Sequence, residues 1–292
     1  MAYRFVACIG FAGGVLIPCA TVEATFHFMQ IEQVIGGVNG DVTAQAIQLR
    51  MRLASQNLLA ASRLRAWDAA GANPVLIIDF TQVVPNAQSG DRVLIATAGF
   101  SPATSPGAVP DFQMTNSVPH SYLAAGSLTF EDDSGTIYWR LSWGGSGYTG
   151  STMGDTTNDN DSGFGPADFG PPFAGPLPTT TLQALRFTGL ANALSTTNAA
   201  DYSLTMGPAT FTNNARADFI VVAPVPMDGD INGDGIVNSL DLARFEACLN
   251  GADGSTPPMG CDEKEYSRSD LDHDGGVDLA DFADFELLWT AP

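Results

Sequence analysis

Asp230, Asn232 and Asp234 stand at alternate positions in the stretch DGDINGDGIVNSLDLARF (Asp228–Phe245), followed by Gly235 and an apolar run. Oxygen-bearing side chains this close together either form a solvated turn or are held by a cation. Forty residues later the arrangement recurs as Asp270, Asp272, Asp274 and Gly275. The same offset pairs Val237 with Val277, Asn238 with Asp278, Asp241 with Asp281, and Glu246 with Glu286. It also pairs Leu242 with Phe282, Phe245 with Phe285 and Leu249 with Trp289. The stretch is an internal repeat of a loop plus a helix.

A hard cation such as calcium takes six to eight oxygens, and a 12-residue loop supplies them from positions 1, 3, 5, 7, 9 and 12 with a glycine at position 6. On that template the first loop offers Asp230, Asn232, Asp234, the carbonyl of Ile236, Asn238 and Asp241. The second offers Asp270, Asp272, Asp274, the carbonyl of Gly276, Asp278 and Asp281. Two Ca2+ ions are expected. Position 12 is normally a glutamate that chelates with both oxygens. Here it is aspartate in both loops, so the backbone must bring the shorter arm closer or it binds less fully. Pro224 and Pro226 precede the first loop, where an entering helix would end, and proline inside a helix removes a donor and clashes. Each unit therefore reads as a loop followed by one exiting helix. Leu242, Phe245 and Leu249 share a face of the first helix, and Phe282, Phe285 and Trp289 a face of the second.

Over about Asp228 to Thr290 these features resemble the dockerin type I family, in which duplicated calcium loops end in Asp and lack the entering helix. The resemblance implies a calcium-folded module that docks onto a cohesin domain or a similar surface scaffold. It also implies that loop positions 10 and 11 are prominent in the contact; here these are Ser239–Leu240 and Leu279–Ala280. They depart from the familiar Ser/Thr-rich pair. The linker between the repeats is longer than usual.

The chain that carries this module has 292 residues and a formal net charge of −20, with 12 basic against 32 acidic residues. Lys264 is its sole lysine. Such a balance argues against nucleic acid and anionic membrane surfaces, which select basic patches. The charge is concentrated, with 16 acidic and 3 basic residues from Asp228 to Pro292. At the other end, Arg4, the apolar stretch Phe5–Ile17 and Val22-Glu23-Ala24 read as an export signal over residues 1–24, cleaved after Ala24 or Ala20. No other segment approaches ~20 continuous apolar residues, so no membrane span is expected. Cys8 and Cys19 would leave with the signal. In an oxidising compartment Cys248 and Cys261 are expected to pair as a disulfide; the alternative is two unpaired core residues. They are too few for a zinc site.

Residues 25–222 read as all-β. Ile47, Leu49 and Met51 alternate with Gln48, Arg50 and Arg52, the period of a half-buried strand. Val75–Phe80, Arg92–Thr97, Ser127–Phe130, Ile137–Trp143, Leu182–Phe187, Tyr202–Met206 and Asp218–Ala223 are further strand candidates, with Ser62–Trp67 preferred as a strand over a helix. Turn residues separate them, as in a sandwich or barrel. Ser101–His120 and Gly154–Pro178 read as long loops, and residues 223–229 as a proline-rich linker into the module at 230–292. Phe28–Gly37, the strands that follow and Thr197–Thr205 resemble lamin-tail domains. The fold class expected is therefore mainly β: an immunoglobulin-like sandwich followed by a small helical module.

The resemblances together imply a secreted, non-catalytic protein whose β-sandwich is docked through its C-terminal module. A glycoside hydrolase tethered to degrade polysaccharide, or a structural protein stiffened by calcium, are the alternatives. A glycosidase needs two positioned carboxylates. The candidates are Glu32, Asp68, Asp79, Glu131, Asp132, Asp133 and Asp168, although Glu131–Asp133 before Ser134-Gly135 reads as a strand end and turn. His27 and His120 lack a nucleophile turn nearby. Asp155, Asp159 and Asp161 are a further candidate for holding a cation, but the spacing lacks the glycine and the closing acid, and a solvated loop is the simpler reading.

Overall fold

The computed structural model describes residues 26–155, 167–190, 197–223, 228–233, 237–251, 254 and 256–289. The export signal, both linker prolines, Asp234 to Ile236, Asp159, Asp161 and Thr290 lie outside the described residues. In chain order the strands are β1 (Met29–Ile35), β2 (Ala46–Met51), β3 (Ser62–Trp67), β4 (Val75–Phe80), β5 (Arg92–Ala96), β6 (Thr104–Ser105), β7 (Phe112–Gln113) and β8 (Gly126–Asp132). There follow β9 (Ile137–Trp143), β10 (Met153–Gly154), β11 (Ala167–Asp168), β12 (Leu185–Phe187), the short helix α1 (Asn198–Asp201), β13 (Tyr202–Leu204), β14 (Thr210–Thr212) and β15 (Asp218–Val221). Three helices close the chain: α2 (Ser239–Cys248), α3 (Glu263–Ser269) and α4 (Leu279–Leu288).

The protein is thus mainly β, with sandwich-like sheets followed by a small helical region. A six-stranded sheet, β13-β12-β1-β2-β5-β7, faces a four-stranded sheet, β4-β3-β8-β9. Met29, Ile31, Leu49 and Ile95 of the first pack with Leu64, Phe80, Phe130, Trp139 and Trp143 of the second in one core. Strand β2 was expected to be half-buried. Instead Gln48 is as buried as Leu49, because the back of the six-stranded sheet is covered too, while Arg52, just past the strand, is buried over the rings of Phe28 and Trp139. There Ile35, Leu94 and Ala96 meet Phe211, Phe219 and Val221 beneath a three-stranded sheet, β14-β15-β6. Strands β6 and β7 lie in the stretch read as loop. Each is two residues long and adds to the edge of a sheet, too short for any alternation to show.

Two carboxylates raised as catalytic candidates are committed to this architecture. Glu32 sits at a bulge in β1 and is nearly inaccessible. It accepts from Arg92 at 2.7 and 3.1 Å and from Gln48 at 2.7 Å. Glu131 is fully buried and is clamped by Arg63 at 3.2 Å and Arg65 at 2.6 Å. Burying a charge is tolerated only when it is paired and hydrogen-bonded, and these two are. Asp132 shapes the turn after β8, its Oδ1 accepting from Thr136 N–H at 2.8 Å. Asp68 and Asp168 likewise accept backbone N–H groups in local turns.

The C-terminal helices have a core of their own: Ile231, Val237, Phe245, Cys248, Cys261, Tyr266, Val277 and Phe285. Among the described residues no helix is long and apolar enough to cross a membrane.

Glu131→Gln is expected to destabilise the β region by roughly 2–3 kcal/mol, below the ~3–5 of a fully buried broken pair because both arginines keep some water. Urea unfolding followed by the fluorescence of the buried Trp139 and Trp143 checks this. An unchanged midpoint would contradict it.

Candidate metal centre

The two exiting helices begin in the same way. Asn238 caps α2 by accepting from Leu240 N–H at 2.8 Å, and Asp278 caps α4 by accepting from Ala280 N–H at 2.7 Å. The residue three along, Asp241 or Asp281, turns back to accept from the cap's own N–H at 2.9 or 2.8 Å. These are reciprocal capping boxes, which satisfy otherwise orphaned donors at a helix start. Both aspartates are fully buried.

Their other oxygens reach across the loops. Asp241 Oδ1 accepts from Asn232 N–H at 2.9 Å. Asp281 Oδ1 accepts from Leu271 N–H at 2.6 Å and Asp272 N–H at 3.1 Å. The acid at position 12 is therefore a staple between the start of the loop and the start of the helix. This is how the shorter arm reaches inward. A carboxylate has about four acceptor sites, and Asp281 uses three on backbone donors. It has room for a single further bond rather than a two-oxygen grip.

The second loop is described in full. Asp270 ends α3, and Asp270, Asp272 and Asp274 bring carboxylate oxygens within 4.8 Å of one another. Asp270 Oδ2 accepts from Gly275 N–H at 3.1 Å, while its Oδ1 is buried with no hydrogen-bond partner. A buried acceptor left unmet is costly. Partial desolvation by its neighbours, and then the charges of Asp281, Asp274 and Asp270, raise the Asp272 carboxyl above its ordinary value although the residue is exposed. Crowded acids with an unmet inward oxygen fit a hard divalent cation, and the oxygen-only donor set suits calcium. Gly275, at position 6, has φ +95°, the left-handed turn that glycine adopts without strain. In the first loop Gly233 has φ +77°, the same left-handed region that glycine adopts without strain. Asp230 is buried, and Asp234 and Ile236 lie outside the described residues.

The structure corrects one expectation. The second loop has an entering helix: α3 runs straight into Asp270. Before the second loop the nearest prolines, Pro257 and Pro258, lie upstream of α3. Residues 263–269 contain none, and Asp262 caps them through the N–H groups of Lys264 and Glu265 at 2.8 and 2.9 Å. Cys248 and Cys261 form a disulfide, with Cα atoms 5.0 Å apart, that ties the end of α2 to the segment before α3. Glu265 lies near both sulfurs, but a disulfide offers no thiolate to a metal.

In the module's core the rings of Phe245 and Phe285 lie tilted at 5.4 Å, and the partly buried Trp289 packs edge-on to Phe285 at 5.7 Å. Beside them a groove of about 510 Å³ is lined by Leu242, Phe282, Phe285, Glu286 and Trp289. Leu240 is 61% and Leu279 79% exposed, so residues of positions 10 and 11 stand free at the two helix starts. Two residues that sequence reasoning did not single out, Asn250 and Tyr266, touch the second loop from the linker and from α3. The repeat offset could not reveal them, because neither belongs to the repeat.

A family model for the dockerin type I domain matches residues 228–284, the segment that holds both loops. No curated protein matches the chain.

Asp281→Ala is expected to speed amide exchange at Leu271 and Asp272 about tenfold or more, since their N–H groups lose their acceptor. Asn232 in the first loop should be unaffected. Equal acceleration in both loops, or none, would contradict the staple.

Proposed function

We propose that residues 230–292 bind two calcium ions and dock the β region onto a cohesin-like domain of an extracellular or cell-surface scaffold. A dockerin domain implies cohesin-mediated docking, and dockerin domains bind calcium. The ligands proposed are Asp230, Asn232, Asp234, the carbonyl of Ile236, Asn238 and Asp241 for one ion. For the other they are Asp270, Asp272, Asp274, the carbonyl of Gly276, Asp278 and Asp281. The observation that carries the reading is Asp270 Oδ1, a buried oxygen without a donor among three converging carboxylates.

The contact proposed runs through Ser239, Leu240, Leu279 and Ala280. Exposed leucines at the helix starts suit a partner with an apolar patch better than one that reads hydroxyl groups. The β region, 25–222, is the passenger, and its lamin-tail resemblance supports a binding or scaffolding role. Export through residues 1–24 agrees with the disulfide, which persists in oxidising compartments.

Immobilised cohesin domains test this with the full chain. Capture is expected in calcium and release in a chelator. Leu240→Asp with Leu279→Asp should weaken capture by at least about a hundredfold, because charge in the centre of an apolar contact is left unpaired. Calcium binding should be unchanged. No capture by any cohesin from an otherwise calcium-loaded chain would contradict docking and favour calcium as a stiffener only.

A further inference from the structure

The peptide that would supply the seventh-position oxygen of the second loop is gripped on both sides from outside the loop. On one side is Gly275, whose carbonyl, at 3.1 Å, shares the single hydroxyl proton of Tyr266 in α3 with the carbonyl of Gly254 at 2.7 Å. On the other is Val277. Its N–H donates to Asn250 Oδ1 at 3.0 Å, and its carbonyl accepts from the N–H groups of Asn250 and Gly251 at 3.0 and 3.1 Å. Asn250 Nδ2 in turn donates to the Tyr266 hydroxyl at 2.7 Å, so the two grips are one unit. Between them sits Gly276, the residue type with the widest backbone freedom. The first loop has Ile236 in that place, a β-branched residue with far less freedom of its own.

Asn250 is itself fixed. It follows Cys248 by two residues, and the disulfide to Cys261 closes the linker that contains it. Cys248 is fully buried, and Tyr266 is nearly so. The linker's extra length and its two cysteines thus have a use that the repeat does not explain. They present an asparagine to the back of a calcium loop.

We propose that Asn250 and Tyr266 are positioning residues for the second calcium loop, and that the Cys248–Cys261 disulfide makes that loop's calcium affinity dependent on thiol redox state. Neither residue would touch the ion. They hold the Gly276 peptide so that its carbonyl stays turned inward before calcium arrives, which lowers the ordering cost of binding. The first loop has its own, stiffer residue there. Reduction by an external dithiol transfers two electrons and two protons to the disulfide. It yields two thiols, oxidises the dithiol to its own disulfide, and frees the linker without breaking any calcium ligand. This inference rests on the calcium reading above.

The test is a calcium titration of the full chain, with the amides of Gly275 and Gly235 followed separately by NMR. Asn250→Ala is expected to weaken the second loop roughly tenfold, the effect of losing about one net hydrogen bond to the backbone. The first loop should change less than about twofold. Tyr266→Phe keeps the ring in the core and should act in the same direction. Cys248→Ser with Cys261→Ser, or reduction of the native chain, should likewise weaken the second loop alone. Far-UV circular dichroism at saturating calcium confirms that each variant folds; one that does not is set aside for Tyr266→Phe, which preserves the buried ring. Equal weakening of both loops, or none in either, would overturn the positioning role. A native chain that binds no calcium at all would sink the calcium reading instead.

Discussion

Carboxylates that crowd one another are the constraint on which the C-terminal module depends. Asp270, Asp272 and Asp274 bring their oxygens within 4.8 Å of one another. Like charges so placed repel, and one oxygen is buried with nothing to accept from. A polypeptide keeps such an arrangement when a cation completes it, because metal binding and folding are then one event. The rest of the module follows from that demand. Glycines at the tight turns let the chain wrap the centre. The closing aspartates staple loop to helix, and the two helices that start there bring Phe245 against Phe285 in the module's core. Leu240 and Leu279 stand exposed where those helices begin.

The β region solves a different electrostatic problem. Its six-stranded sheet is covered on both faces, so the polar residues that alternate along β1 and β2 are buried with the apolar ones. Glu32 is held by Arg92 of β5, two strands away in the same sheet, and Glu131 by Arg63 and Arg65 of the adjoining β3. Removing either partner would leave a buried charge alone, which is why such pairs persist even where they add little net stability. Both carboxylates are thereby tied to structure, and the hydrogen bonds of Asp68, Asp132 and Asp168 are spent on turns. These five acids hold strands and turns in place.

How much of this was legible in the sequence depended on the range of the forces involved. The calcium loops were visible because oxygen donors, glycine and the apolar eighth residue must recur at set spacings. The strand from Ser62 to Trp67 was visible because arginine alternates with apolar residues along it. The burial of Gln48 was not, since alternation cannot tell a sheet with one covered face from a sheet with two. Helix α3 was missed because the prolines before the first loop were taken to speak for both repeats. Asn250 and Tyr266 were hidden for a further reason: their grip on the second loop arises only when the linker folds back over it.

The most direct test of the account is calorimetric titration of the full chain with calcium, after chelation, with helix content followed in parallel. The account predicts two ions bound per chain and helix gained as they bind, lost again when the chelator returns. A chain that takes up no calcium, or takes it up with no change in helix, would contradict it.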